Sequence, residues 1–234
     1  MIYLYSFPLY DKDSNLETSF NDNFYYNQIF SIYNKFKDLN LYSNLIFEPI
    51  KENFAYYLEK GPNILHIKVN SSMKNNKLLY LNLDLLGILS DYSCENLKLS
   101  FQVENNVSKI KLIIFSSQNI DEVKKIFSKI NIKNIIYINN DNTSESEKDE
   151  EIFIENLYEF LLKGDSIKKA FEKSKLKINN KNIVFLYPDN KNNNITIVNN
   201  IESNFYNKKC EITLNKNCVL NLDFIIIFWK NSPL

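Results

Sequence analysis

The sequence contains no arginine, only three glycines and a single histidine. Arginine is the residue best suited to paired contacts with phosphates and bases, and the 28 basic residues are balanced by 28 acidic ones. This balance argues against a nucleic-acid binder and against attachment to an anionic membrane surface. Three glycines, with no G-x-G-x-x-G or Walker pattern among them, also argue against a phosphate-binding loop.

Cysteine and histidine are too sparse for a metal centre. Cys94, Cys210 and Cys218 lack C-x-x-C spacing and His66 is the only imidazole, so no metal and no cofactor is predicted. One alternative is that Cys210 and Cys218 face each other across a β-hairpin. No signal peptide is recognisable, and the longest apolar run, Phe224 to Trp229, is too short to span a bilayer. We therefore expect a cytoplasmic protein with reduced thiols.

What the sequence does contain is typical of a folded chain. Of its 234 residues, 44% are hydrophobic and 14% aromatic, enough for a sizeable core. Asparagine occurs 38 times, which we interpret as the bias of an AT-rich genome. Because asparagine tolerates a positive φ, it can take the place of the missing glycines in turns.

Short apolar segments alternate with helical periodicity as far as residue 187, which predicts an α/β fold with a mainly parallel sheet. The segment 99–107 is predicted to be a further strand or an irregular edge. Asp141 to Glu151 is predicted to be a solvated acidic loop. The helix after this loop is expected to end at Gly164, and Asp165 is expected to cap the next helix. Predicted strands are Ile2–Tyr5, Leu45–Phe47, Ile64–Val69, Leu78–Leu83, Ile110–Phe115, Ile135–Ile138 and Ile183–Tyr187, and predicted helices cover 22–38, 54–60, 121–129, 152–163 and 166–175.

The last part of the chain is β-like throughout, from Ile195–Val198 through Glu211–Leu214 to Val219–Trp229, and predicts an antiparallel extension. We divide the chain into an N-terminal strand and helix (1–44), an α/β core (45–188) and a β-rich extension (189–234), all in one compact domain.

Four short strings, in this order, resemble the CHAT domain of the caspase-like peptidase clan. The strings are Leu65-His66-Ile67-Lys68-Val69-Asn70, Ile114-Phe115-Ser116-Ser117-Gln118, the helix end Leu157 to Gly164, and Ser166 to Ala170. The resemblance covers roughly Leu45 to Tyr187 and implies a caspase-like three-layer sandwich, with a mainly parallel sheet flanked by helices. Positions 70 and 118 differ by 48, close to the base-to-nucleophile spacing of about 50 in caspases.

This alignment places Asn70 where the family has its catalytic histidine and Gln118 where it has its catalytic cysteine. An amide is neither a nucleophile nor a base near neutral pH, so the resemblance implies a non-catalytic pseudo-peptidase. Such a domain is expected to act through a protein or peptide partner, in regulation or interaction.

Two alternatives stay open at this point. An active cysteine peptidase would need His66 and Cys94 as a misaligned dyad, although His66 in the middle of a strand is more typical of a structural histidine. Ser116 and Ser117 follow a buried strand as a nucleophile would, but no second histidine is present to activate them. If the resemblance is accidental, the chain is an α/β structural or assembly subunit, and its aromatic residues serve cores and interfaces.

Overall fold

The fold is described from a computed structural model. It describes residues 1–5, 10–11, 16–17, 30–36, 44–47, 56, 58–74, 78–85, 88–103, 109–118, 120–128, 132, 134–141, 143–187 and 194–197. The strands are β1 Ile2–Tyr5, β2 Tyr10–Asp11, β3 Leu16–Glu17, β4 Asn44–Phe47, β5 Ile64–Lys68, β6 Asn70–Lys74, β7 Leu78–Leu85, β8 Ile88–Ser93, β9 Leu112–Ser117, β10 Ile135–Asn139 and β11 Val184–Tyr187. The helices are α1 over 30–36, α2 Cys94–Val103, α3 Ile120–Phe127, α4 Ser144–Leu162 and α5 Ile167–Lys175.

The described strands form two sheets. The first has the order β11-β10-β9-β5-β1-β4; its strands run parallel except β11, which is antiparallel to β10. The second has the order β3-β2-β8-β7-β6 and is mostly antiparallel. The predicted α/β fold with a parallel central sheet is confirmed at this level.

Strands β5, β9 and β10 lie in the middle of the first sheet, and nearly every side chain in them is buried. Continuous apolar runs of this kind are typical of parallel strands that are covered on both faces. Alternate residues enter two separate hydrophobic clusters. One cluster contains Ile64, Leu112 and Ile114 with residues of α1, α4 and α5, and the other contains Leu65, Ile113 and Phe115 with residues of α2 and α3.

The prediction of a further strand or an irregular edge over 99–107 is wrong for 99–103, which belong to α2. Leu99, Phe101 and Val103 alternate with polar residues and so imitate a strand. In the helix, Phe101 is buried with its ring centroid 5.2 Å from that of Phe127, while Leu99 is exposed. The hydroxyl of Ser93 accepts the N–H of Asn96 at the start of α2, a contact that favours the helix locally.

The prediction of a solvated loop from Asp141 to Glu151 is also wrong, because α4 begins at Ser144. Thr143 is the N-cap, and its hydroxyl accepts the N–H of Ser146. The first turns of α4 carry no apolar residue to mark a helical face. Their buried side chains are polar instead, so hydrophobic periodicity gives no signal there.

The next helix start and the end of β9 need smaller corrections. Ser166, not Asp165, is the N-cap of α5, and its hydroxyl accepts the N–H of Lys169. Asp165 instead pairs with Lys169 and Lys173, at 2.9 and 2.6 Å. Ser116 and Ser117 were expected to stop the strand before them, but both belong to β9.

Gly164 ends α4 with a φ of 86°, a value that costs an L-residue energy through its Cβ. Gly164→Ala is therefore expected to lower the free energy of unfolding by about 1–2 kcal/mol, measured by urea denaturation. The matched substitution Glu172→Ala, at an exposed position in α5, is expected to change it by less than about 0.5 kcal/mol. Equal effects of the two substitutions would contradict the role of the positive φ.

Several predictions lie wholly or partly outside the described residues. They include the first part of the helix predicted over 22–38, the segments Glu211–Leu214 and Val219–Trp229, and the cysteines Cys210 and Cys218. Of the predicted strand Ile195–Val198, Thr196 forms one antiparallel bridge with Ser166.

Candidate functional site

Three neighbouring parallel strands end in polar residues at the same edge of the first sheet. β5 ends at Lys68, β9 at Ser116 and Ser117, and β10 at Asn139, with Asn140 directly after it. Lys68 is the register partner of Ser116 on the adjacent strand. The carboxyl edge of an open parallel sheet is the usual position of a ligand site in α/β proteins, so this polar edge is the candidate site.

The side chain at the centre of this edge is Glu150 of α4, which is 1% exposed. The Ser116 hydroxyl donates to its Oε1 at 2.7 Å, and the Asn140 amide donates to its Oε2. The Lys68 ammonium lies 3.0 Å from the same Oε2. One carboxylate thus receives donors from the ends of three strands.

The N-terminal part of α4 carries two further buried polar residues. The Ser146 hydroxyl donates to the Asn140 side-chain oxygen at 3.0 Å, which links the cap of α4 to the end of β10. Asp149 accepts the backbone N–H groups of Asn179 and Asn180 at 3.1 and 2.8 Å. The first turns of α4 are therefore attached by hydrogen bonds both to the sheet edge and to the segment that leads into β11.

His66 lies in β5, two residues before Lys68 and on the same face of the sheet. Its ring is completely buried, and Nδ1 lies 3.0 Å from the hydroxyl of Tyr158, which is also completely buried. Burial, reinforced by the charge of Lys68, holds the pKa of His66 well below its usual range, and burial raises the pKa of Tyr158. Both side chains are therefore neutral at pH 7, as in a structural pair.

Asn70 and Gln118, the two positions identified from the sequence, follow the carboxyl ends of the neighbouring strands β5 and β9 along the backbone. Gln118 directly follows β9 and is half-buried, while Asn70 is the first residue of β6 in the second sheet. The chain leaves the first sheet at Val69, whose N–H donates to the carbonyl of Ser116 at 3.1 Å. β5 and β9 pair with an offset of 48 residues, as in His66 with Ile114, which is the offset between positions 70 and 118.

The alternative candidates are placed as follows. Cys94 is the first residue of α2, its side chain lies outside the described part of the structure, and its pairing with His66 stays a prediction. The Ser116 hydroxyl is occupied by Glu150. Ser117 is buried and, within the described residues, its hydroxyl makes no hydrogen bond.

Sequence reasoning missed Lys68, Asn140, Ser146 and Glu150 as members of one cluster. Two signals were present: a lysine at the end of a mostly apolar strand, and an acidic run, Asp149-Glu150-Glu151, directly before an apolar helical stretch. Neither signal identifies its partner, because the hydrogen-bonded residues are far apart in the chain.

Within the described ranges, no group of three or more histidine, cysteine or acidic side chains is arranged to hold a metal ion. The same part of the chain contains no helix with the length and apolar character needed to cross a bilayer. Neither the known protein-family models nor the curated proteins include one that matches this chain.

Proposed function

We propose that this chain is a caspase-like three-layer domain without peptidase activity, which acts by binding a protein or peptide partner. The observation that carries the proposal is the register of β5 and β9. They are parallel neighbours whose paired residues differ by 48 in number, as in Lys68 with Ser116. Asn70 and Gln118 lie two residues beyond that pair and differ by the same number. In the CHAT resemblance, these are the positions of the base and the nucleophile.

The chemistry of the edge supports a non-catalytic role. Thiol catalysis needs a thiolate and an imidazole that takes up and returns a proton, and the amides of Asn70 and Gln118 supply neither. The only imidazole, His66, is fully buried against Tyr158, and its lowered pKa keeps it neutral. Its geometry is that of a core residue rather than of a general base in a cleft.

A partner would bind beyond the carboxyl ends of β5, β9 and β10, where folds of this class place their ligands. The polar ends of these strands provide hydrogen-bonding groups for a peptide backbone or side chain. Without a nucleophile, such a peptide would be held and not cut.

The alignment can be tested by restoring the family's residue types. The double variant Asn70→His, Gln118→Cys is expected to react with a peptidyl electrophile at the introduced thiol, because an imidazole beside a thiol increases its thiolate fraction. Labelling is followed by mass spectrometry of the intact chain and of its peptides, with Gln118→Cys alone as the matched control. The unaltered chain is expected to remain unlabelled and to leave a peptide library uncut.

Two results would contradict the proposal. Equal labelling of the single and double variants would mean that positions 70 and 118 are not near each other. Labelling of Cys94 in the unaltered chain, together with peptide cleavage, would make the protein an active cysteine peptidase.

A further inference from the structure

The groups that contact the Glu150 carboxylate are arranged like the residues of a ligand-binding site. Both of its carboxylate oxygens are bound by groups that belong to the sheet: the Ser116 hydroxyl at one oxygen, the Lys68 ammonium and the Asn140 amide at the other. All three residues are at least nine-tenths buried. The donors come from the carboxyl ends of three consecutive strands, and only the acceptor comes from α4.

Attachment of α4 to the sheet does not require this carboxylate. Phe153, Leu157 and Leu161, on the following turns, are completely buried in the same hydrophobic cluster as Leu112 and Ile114 of the sheet. A buried ion pair is seldom more stabilising than apolar side chains of the same volume, because both charges lose their hydration. Stability alone therefore gives little reason for a lysine, a serine and an asparagine to meet at this edge.

We propose that Lys68, Ser116 and Asn140 form a carboxylate-binding site that Glu150 occupies in cis, and that an acidic side chain of a peptide partner binds there when Glu150 leaves. That the ligand is part of a peptide rests on the proposed function; the donor site itself rests on the contacts above. A tethered carboxylate competes with an external one at an effective concentration in the millimolar range or above. The state described here is thus the self-occupied, inhibited state.

Movement of Glu150 would affect a second part of the fold. Its neighbour Asp149 holds the backbone N–H groups of Asn179 and Asn180, which lie before β11. Because adjacent residues of one helix make these two sets of contacts, release of the first turns of α4 opens both. Binding of an external carboxylate at the sheet edge is in this way coupled to loss of the hydrogen bonds between Asp149 and the segment that leads into β11.

The test is chemical complementation of Glu150→Ala. The substitution removes a group of the size of acetate and leaves the three donors in place. In sodium acetate at pH 7, compared with sodium chloride of equal ionic strength, the midpoint of thermal unfolding is expected to rise saturably by about 2–4 °C. The variant that combines Glu150→Ala with Lys68→Ala is the matched control and is expected to show no difference between the two salts.

A second measurement distinguishes a small free carboxylate from the carboxylate of a peptide side chain as the ligand. A blocked tripeptide with a central glutamate is added to Glu150→Ala and compared with the same peptide containing glutamine. The glutamate peptide is expected to raise the midpoint of the variant, and to act on the unaltered chain only at concentrations about tenfold higher or more, because there it competes with Glu150.

Each outcome decides the proposal. If Glu150→Ala does not fold in chloride, its recovery by refolding in acetate is the supporting result, and failure to refold in acetate overturns the site. Equal stabilisation of the variant and of the Lys68→Ala control also overturns it. A response to acetate without one to the glutamate peptide overturns the peptide ligand. None of these results bears on electrophile labelling at position 118, so the proposed function can fail or stand separately.

Discussion

Glu150→Gln is expected to lower the free energy of unfolding by about 3–5 kcal/mol, measured by urea denaturation at pH 7. The Lys68 side chain is 11% exposed and lies 3.0 Å from the carboxylate that this substitution neutralises. Removing one charge of a buried pair leaves the other in a poorly hydrated place without this counter-charge, which costs more than the pair contributes. The Ser116 hydroxyl would also lose a charged acceptor at 2.7 Å.

A double-mutant cycle separates this effect from a simple loss of packing. Lys68→Met combined with Glu150→Gln is expected to recover at least half of the lost stability, because the double variant buries no unpaired charge. The surface pair Lys163–Glu159, with side chains 64% and 45% exposed, is the control: Glu159→Gln is expected to change stability by less than about 0.5 kcal/mol. Additive losses in the Lys68 and Glu150 cycle would show that the two residues do not act as a pair.

Between pH 7 and pH 5 the protein is expected to lose about 2 kcal/mol of stability because of His66. Histidine in an unfolded chain has a pKa of about 6.5. In the folded protein, burial, with a smaller contribution from the charge of Lys68, keeps the pKa of His66 well below this value. Below pH 6.5 the unfolded state takes up a proton that the folded state does not, so stability falls by up to about 1.4 kcal/mol per pH unit. Above pH 6.5 this contribution is fully present and constant.

The check is urea denaturation across this pH range for the unaltered chain and for His66→Gln. The amide of the variant can still hydrogen-bond to Tyr158 but does not titrate, so the loss of stability between pH 7 and pH 5 is expected to disappear. Burial raises the pKa of Glu151, which shifts stability in the opposite direction, and equally in both proteins, as the pH falls toward 5. The hydrogen-bonded carboxylates of Asp141, Glu159 and Asp165, whose pKa values are lowered, add their own loss only at more acidic pH. The same slope in both proteins would show that His66 is not the group responsible.

Strands with a strong and continuous pattern were predicted well. The apolar runs around Ile64–Lys68 and Ile135–Asn139 are strands in the structure, and β5 and β9 are parallel neighbours there. Burial on both faces leaves an unbroken hydrophobic run, which can be read without knowledge of the partners. By contrast, β6 and much of β8 are polar and were not recognised as strands, because polar residues give no hydrophobic pattern, although both strands form hairpins with β7, their neighbour in the chain.

The candidate site shows the same limit at the level of single residues. Glu150 looks like one of many acidic residues in a polar stretch, and it was assigned to a solvated loop. Its burial results from donors on three other elements, the nearest of which, Asn140, lies ten residues away. A buried polar side chain is compatible with folding only when such partners are in place, and this condition has no local signature.

The sequence by itself determined the α/β class, the three central buried strands, and the lack of a histidine and a cysteine at positions 70 and 118. These features follow from residue identity and from periodicity, which act over a few residues. Only the tertiary structure decided that the acidic stretch begins a helix, that His66 is paired with Tyr158, and that Lys68, Ser116 and Asn140 meet at Glu150. Each of these depends on groups brought together from distant parts of the chain, where desolvation and hydrogen-bond geometry, and not local pattern, set the energy.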